Sequence, residues 1–284
     1  MSMGDGFNFE PWLRVGSFAA VLLLMVAAET FHPRRRYSQT RLSRWSNNLG
    51  LAVLNTLSLR LIFPLTAVQW ALYCESQGWG LLNRWSLAPG WTIVTSLLVL
   101  DWAIYWQHRL FHVIPVFWRL HRLHHTDLDI DTTTAIRFHP LEMLLSMALK
   151  MMIIVTLGAP AITVLLFEVL LNASAMFNHA NFYLPPRLDR ALRWILVTPD
   201  MHRVHHSILR EETDSNFGFN LPWWDRLFGS YREQPAAGHE AMTIGLKEFR
   251  DPRQLAFGYL LIQPFRSIPG KSPPSSSTVT KDQE

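Results

Sequence analysis

The chain is poor in cysteine and in charge. A single cysteine, Cys74, stands among 284 residues, which excludes an intrachain disulfide and any multi-cysteine metal site. Charged residues make up 17% of the chain, against roughly a quarter in a typical soluble domain. No glycine-rich phosphate loop and no dinucleotide fingerprint occurs. The zinc-protease pattern HExxH is missing as well: His239-Glu240 continues as AMT, with no second histidine. The formal net charge is only +4. The basic residues Arg34, Arg35, Arg36, Arg41 and Arg44 sit beside an apolar segment, which reads as a membrane flank rather than a nucleic-acid patch.

What is abundant is apolar surface. Hydrophobic residues reach 49% and tryptophans number 12, as expected where indoles sit at lipid headgroup level. Residues 12–31, with VGSFAAVLLLMVAA at their centre, are the first expected membrane span. Asp5 and Glu10 precede it, where a cleaved signal would carry positive charge. Residues 48–73 are a second span, interrupted by Arg60, and residues 92–107 a third. Residues 141–178 read as a helical hairpin broken at Gly158-Ala159-Pro160, each half about 17 residues, near the minimum for ~30 Å of hydrocarbon. The expected fold is all-α: an integral, multi-pass membrane bundle of four to five spanning or re-entrant helices with a histidine-rich helical cap. The basic loop after the first span places that cap on the cytoplasmic side by the positive-inside rule. The expected divisions are 1–47 (first helix and basic loop), 48–265 (catalytic unit) and 266–284 (disordered polar tail).

Ten of the twelve histidines fall between residues 108 and 206. They form HxxxH (His108, His112), HxxHH (His121, His124, His125), a second HxxHH (His202, His205, His206), and two single residues, His139 and His179. Residues three and four apart share a helix face, so His108 and His112 can reach one ion from one helix. Within each HxxHH the first histidine shares a face with the second or the third, and the third can reach a neighbouring ion. Together they could give about five imidazoles to each of two ions. Structural zinc takes four ligands and usually includes cysteine. An all-nitrogen set this large fits iron best, with copper, nickel and zinc also compatible. Packing offers no reason to gather ten imidazoles, since each buried ring brings a donor and an acceptor to satisfy. His32 and His239 stand apart and read as ordinary surface or interfacial residues.

At these residues the chain resembles the fatty acid hydroxylase/sterol desaturase superfamily, in its sterol-desaturase-type branch. The three histidine boxes carry the resemblance, with the phrases DWAIYWQHRLFH, HHTDLDIDTTTAIRFHPLE, FNHAN, TPDMHRVHHS and NFGFNLPWWDRLFGSYR. It implies a membrane-bound non-haem di-iron oxygenase that hydroxylates or desaturates a fatty-acyl, sterol-like or ether-lipid substrate with O2. It implies two iron ions, replaceable by zinc through mismetallation, held by His108, His112, His121, His124, His125, His139, His179, His202, His205 and His206. Asp101, two turns before His108, and Asp200 are expected to assist, as carboxylates that orient ligand rings; Asp127 is a further candidate. Trp102, Tyr105 and Trp106 belong to a lipid entry or to the aromatic belt. No CxxC cluster, flavin motif or HPGG haem signature is present, and His32-Pro33 and His139-Pro140 lack the glycines. Electrons are therefore expected from a separate cytochrome b5-like or ferredoxin-like donor with its reductase. The expected location is a bacterial inner membrane or the endoplasmic reticulum. A metal-dependent membrane hydrolase and a non-enzymatic metal carrier are the competing readings.

Overall fold

A computed structural model describes residues 9–85 and 87–266. The tail expected over 266–284 lies outside them apart from Arg266. All regular structure among the described residues is helical, with two isolated β-bridges, Pro33 to Phe182 and Ser207 to Ile244. The bundle comprises α1 (Glu10–Phe31), α2 (Arg41–Ile62), α3 (Ala67–Ser76), α4 (Leu81–Arg84), α5 (Pro89–Val113), α7 (Pro140–Leu157) and α8 (Ala161–His179). Between α5 and α7 lie α6 (Pro115–His125) and a 3-10 turn, Thr132–Ile136. The cap continues through α9 (Pro186–Leu192), α10 (Pro199–His205), α11 (Arg210–Thr213), α12 (Trp223–Leu227), α13 (Gly238–Ala241) and α14 (Phe257–Ile262).

Four helical stretches are long and apolar enough to cross a membrane: Glu10–Phe31, Arg41–Arg84, Pro140–Leu157 and Ala161–His179. Large apolar side chains on their outer faces are exposed, among them Val15, Leu23, Val53, Leu57 and Met152, as lipid contact demands. The expected second span is divided. Phe63 leaves the helical conformation and Pro64 has no N–H to give, so α2 ends at Ile62. Thr66 and Gln69 then start α3 with a reciprocal capping box. Arg60 therefore occupies the exposed last turn of α2 rather than mid-span, where a cation suits the helix dipole. The third expected span lies within α5, which is not among the four. Asp101, Gln107, His108, Arg109 and His112 thin out its apolar character, and Leu100, Asp101, Tyr105 and His108 are buried against protein. The hairpin break holds: Gly158 closes α7 at φ +73°. A Cβ on Gly80 would lie 2.2 Å from the Gly158 nitrogen, so the loop after α3 seats directly on the hairpin turn.

At the opposite end of the bundle, charged groups tie the spans to the cap. Arg44 of α2 forks onto Asp127 (2.7 and 2.8 Å) and reaches Asp131 (2.5 Å) and the Asp129 carbonyl (3.0 Å). Burial alone would raise the Asp127 carboxyl, but the Arg44 guanidinium overrides it and holds it at about 2. Glu29 of α1 accepts the backbone N–H groups of Thr132 (2.7 Å) and Asn181 (2.9 Å). The basic loop belongs to this framework. Arg34 pairs with Asp200, and Arg35 donates to the carbonyls of His239 and Met242. His239 is thus buried, not on the surface, whereas His32 is exposed. Stripping one partner from a buried pair leaves an uncompensated charge. Arg44→Met should lower the unfolding free energy by about 3–5 kcal/mol, read as a lower midpoint in calorimetry of the detergent-solubilised protein; an unchanged midpoint would show that the clamp is dispensable.

Candidate metal centre

Nine of the ten expected histidines converge. One ring nitrogen from each of His108, His112, His121, His125 and His205 lies within 4.8 Å of the others, and a second such group comprises His124, His179, His202 and His206. All nine residues are buried. Helical spacing explains the sorting. His108 and His112 close α5, and Pro115 restarts the chain as α6, so that His121 and His125 face them one turn apart. His124 lies on the adjacent face and joins the second group. On α10 the roles reverse: His202 and His206 share the second group and His205 crosses to the first. Thr198 accepts the Met201 N–H and Pro199 opens the helix, which fixes where α10 begins.

Most of the rings are oriented by acceptors that fix their tautomers. A carbonyl oxygen can only accept, so a ring nitrogen bonded to one must carry the proton and leaves its lone pair on the other nitrogen. His108 Nδ1–H donates to the Phe217 carbonyl (2.8 Å), His205 Nδ1–H to Ser215 (2.7 Å), His124 Nδ1–H to Arg137 (3.3 Å) and His179 Nδ1–H to Ala175 (2.7 Å). His121 Nδ1–H donates to Glu142 (2.7 Å), and His112 Nδ1 faces Asp214 (3.3 Å). The Nε2 atoms then point inward. Those of His108 and His121 stand 3.2 Å apart, and those of His124 and His179 stand 3.1 Å apart. In the His124–His179 pair each nitrogen presents a lone pair, so neither can donate to the other. The Nε2 atoms of His112, His125, His205 and His206 have no hydrogen-bond partner at all.

Such facing lone pairs call for a cation. Metal–nitrogen bonds of about 2.0–2.1 Å place two ligands on one ion about 2.9–3.4 Å apart, and the observed separations fall in that range. The histidine groups could therefore each hold a metal ion. Burial pushes His124, His125, His202, His205 and His206 well below the ordinary imidazole value, and neighbouring imidazoles push them further. Burial alone takes His121 to about 3. The rings are thus in the neutral form that ligation requires.

Other expected residues lie elsewhere. His139 joins neither group. It caps α7, accepting the Leu141 N–H at Nδ1 (3.2 Å) and donating from Nε2 to the Leu261 carbonyl (3.1 Å), so no lone pair is left for an ion. Asp101 accepts from Asn220 (2.7 Å) and Trp224 (2.8 Å) and touches no ring of either group. Asp200 is bound by Arg203 and Arg34, and Asp127 by Arg44. The carboxylates that orient ligands are Glu142 and Asp214, which sequence reasoning missed. Glu142 lies in the quoted phrase RFHPLE, three residues past His139, a spacing that could have marked it.

An apolar cavity of about 690 Å³ ends at this centre. His108, His121 and Glu142 line one end, and side chains of α1, α2, α5, α7 and α8 form its walls. Packing leaves the space open: α1 lies chiefly on α8, and α2 on α7. Val15, Val53 and Leu57 line the cavity and are also exposed on the lipid-facing side.

The signature of the fatty acid hydroxylase family matches residues 93–230, a stretch that contains all nine converging histidines. The chain belongs to the fatty acid hydroxylase superfamily. It is 31% identical to an ornithine lipid hydroxylase of Rhizobium tropici over 74% of this chain and 62% of that protein. It is 29% identical to an alkylglycerol monooxygenase of Xenopus tropicalis over 64% of this chain and 40% of the relative. A cholesterol 25-hydroxylase-like protein of Danio rerio is 25% identical over 60% and 66% respectively. The chain thus spans less than two thirds of the length of the first two relatives. No solved structure matches it.

Acid should act through the centre. The folded protein keeps these rings neutral where an unfolded chain would protonate them near pH 6.5. Below that value the unfolded state binds more protons, so the stability of the metal-free protein is full above about pH 6.5 and declines as pH falls toward about 3. Unfolding midpoints of the chelator-treated protein across this window should drop; a flat profile would contradict neutral buried rings. Glu142→Leu should weaken metal binding by about 10–100-fold, measured by competition with a chromogenic chelator.

Proposed function

We propose that this protein is an O2-dependent lipid oxygenase whose two histidine groups hold two iron ions. The observation that carries the reading is the convergence of nine imidazoles, with unpaired lone pairs, at the closed end of an apolar cavity open to the lipid side. The relatives' names, a lipid hydroxylase and a monooxygenase among them, support hydroxylation over desaturation. Iron bound there would supply the oxidant that breaks an unactivated C–H bond, and zinc could occupy the same nitrogens by mismetallation. The protein's own part is positional. The carbonyls of Phe217, Ser215, Arg137 and Ala175 hold Nδ1 protons outward and lone pairs inward. Glu142 holds His121, and Phe138 stacks on His124 at 4.7 Å. The apolar walls exclude water and guide a chain end-on toward His108 and His121.

The histidine cap and the basic loop share one side of the bundle, since Arg34 pairs with Asp200 of α10. By the positive-inside rule that side is cytoplasmic, in a bacterial inner membrane or the endoplasmic reticulum. A separate cytochrome b5-like or ferredoxin-like protein would deliver electrons there. A carrier would string its ligands along a path through mid-membrane; here they form two closed groups at helix ends.

Purified protein reconstituted with iron should hold about two irons per chain and take up O2 only when a lipid substrate and reductant are present. His124→Ala and His205→Ala, one from each group, should each lose metal and lower O2 uptake more than about 100-fold. Turnover of a lipid ester without O2 would overturn the reading in favour of a hydrolase.

A further inference from the structure

The cavity has a second polar end. Glu168 of α8 is buried, and its two carboxylate oxygens take Lys150 of α7 (2.7 Å) and Arg14 of α1. Arg14 also pairs with Glu10 one turn earlier (3.2 Å). All three helices are membrane-span candidates. Ionisable groups inside such helices are costly, and where retained they mark sites. A plain helix-to-helix pin would be sealed within the helix contacts. Instead Arg14, Lys150 and Asn172 line the cavity itself, with Glu168 behind them. The cavity wall thus shows two cationic side chains. Glu168 takes one of the three N–H groups of the Lys150 ammonium, which leaves two donors at the wall.

We infer that Arg14 and Lys150 form a subsite for an acceptor oxygen at the far end of the substrate, with Glu168 positioning both cations. The inference rests on the oxygenase reading for the identity of the other end. Along α7, Lys150 lies eight residues beyond Glu142, about 12 Å at 1.5 Å per residue. The substrate class is therefore an amphiphile whose oxygen-bearing terminus, a hydroxyl or a carboxylate, sits about 12 Å from the carbon presented to His108 and His121, with an apolar body between. A wholly apolar hydrocarbon would leave the remaining N–H donors of the two cations, beyond those taken by Glu168 and Glu10, without an acceptor at an apolar wall. The subsite would set which carbon along a chain reaches the metal centre.

The test is binding of hexadecan-1-ol, hexadecanoate and hexadecane to the full-length detergent-solubilised protein, by native mass spectrometry, with metal content measured in parallel. The wild type should retain the alcohol, the carboxylate or both at least about tenfold over the hydrocarbon, the scale of a charge-assisted hydrogen bond. Preference for the carboxylate over the alcohol would assign an anionic terminus, and equal retention of the two a neutral oxygen. Lys150→Met should abolish the preference while metal content stays unchanged. If that variant does not fold, Lys150→Met with Glu168→Gln removes both charges of the pair and serves instead. Equal retention of all three probes by the wild type, or a preference that survives the substitutions, overturns the subsite. Failure of the oxygenase reading appears separately, as absent O2 uptake in a protein that still shows the preference.

Discussion

The structure depends on where nine ring protons sit. A carbonyl that accepts from Nδ1 makes the opposite nitrogen a lone pair, and four ligand rings are fixed in this way by backbone alone. Lone pairs brought within 3.1–3.2 Å of one another repel, more strongly in a buried setting than in water. A cation between the nitrogens would relieve that repulsion, so metal binding would add to the stability of the fold. The remainder of the cap serves to hold the acceptors still. Residues 214–217 supply three of them to the first group, and that stretch is itself pinned by Asp225, which accepts the N–H groups of Phe217 (2.8 Å) and Gly218 (2.9 Å). Asn216, at φ +52°, fastens the same strand of chain to the Met201 and Arg232 carbonyls.

The membrane part and the cap are joined by the same logic of satisfied buried charge. Arg44, Glu29 and Arg137 each reach from one element to the backbone of another. Arg137 is fully enclosed; it binds Asn48 of α2 (2.9 Å) and the Leu123 carbonyl (3.1 Å), while its own carbonyl orients His124. Helices that pack pairwise, α1 on α8 and α2 on α7, leave a lateral gap, and histidines of the converging groups close that gap at one end. The walls of that gap stay apolar up to His108 and His121.

Much of this was legible in the chain. The apolar runs and the Gly158-Ala159-Pro160 break marked the spans, because length and hydropathy are local properties. The histidine spacings marked the two-group centre, because i,i+4 periodicity survives into three dimensions. What failed was non-local. His139 carries the same side chain as the ligands, and only the fold reveals that both its nitrogens are taken. Asp101 sits in register with His108 on one helix, yet α12 and its approach claim the carboxylate through Trp224 and Asn220. The true orienting groups are mostly backbone carbonyls, which have no residue signature, and Asp214, which lies over a hundred positions from the ring it faces.

The two HxxHH motifs are crossed rather than parallel, and this has a consequence for how the centre behaves as a unit. The motif on α6 gives its outer histidines to the first group and its middle one to the second; the motif on α10 does the reverse. Neither helix can shift the rings of one group without displacing a ring of the other. Rings at i and i+3 or i+4 lie only about 5–6 Å apart at Cβ, so the two groups are adjacent and share the same two helices as walls. A displacement within one group is therefore passed to the other through the helices they share. The crossing of the motifs keeps the two histidine groups in register, and the first of them meets the cavity through His108 and His121.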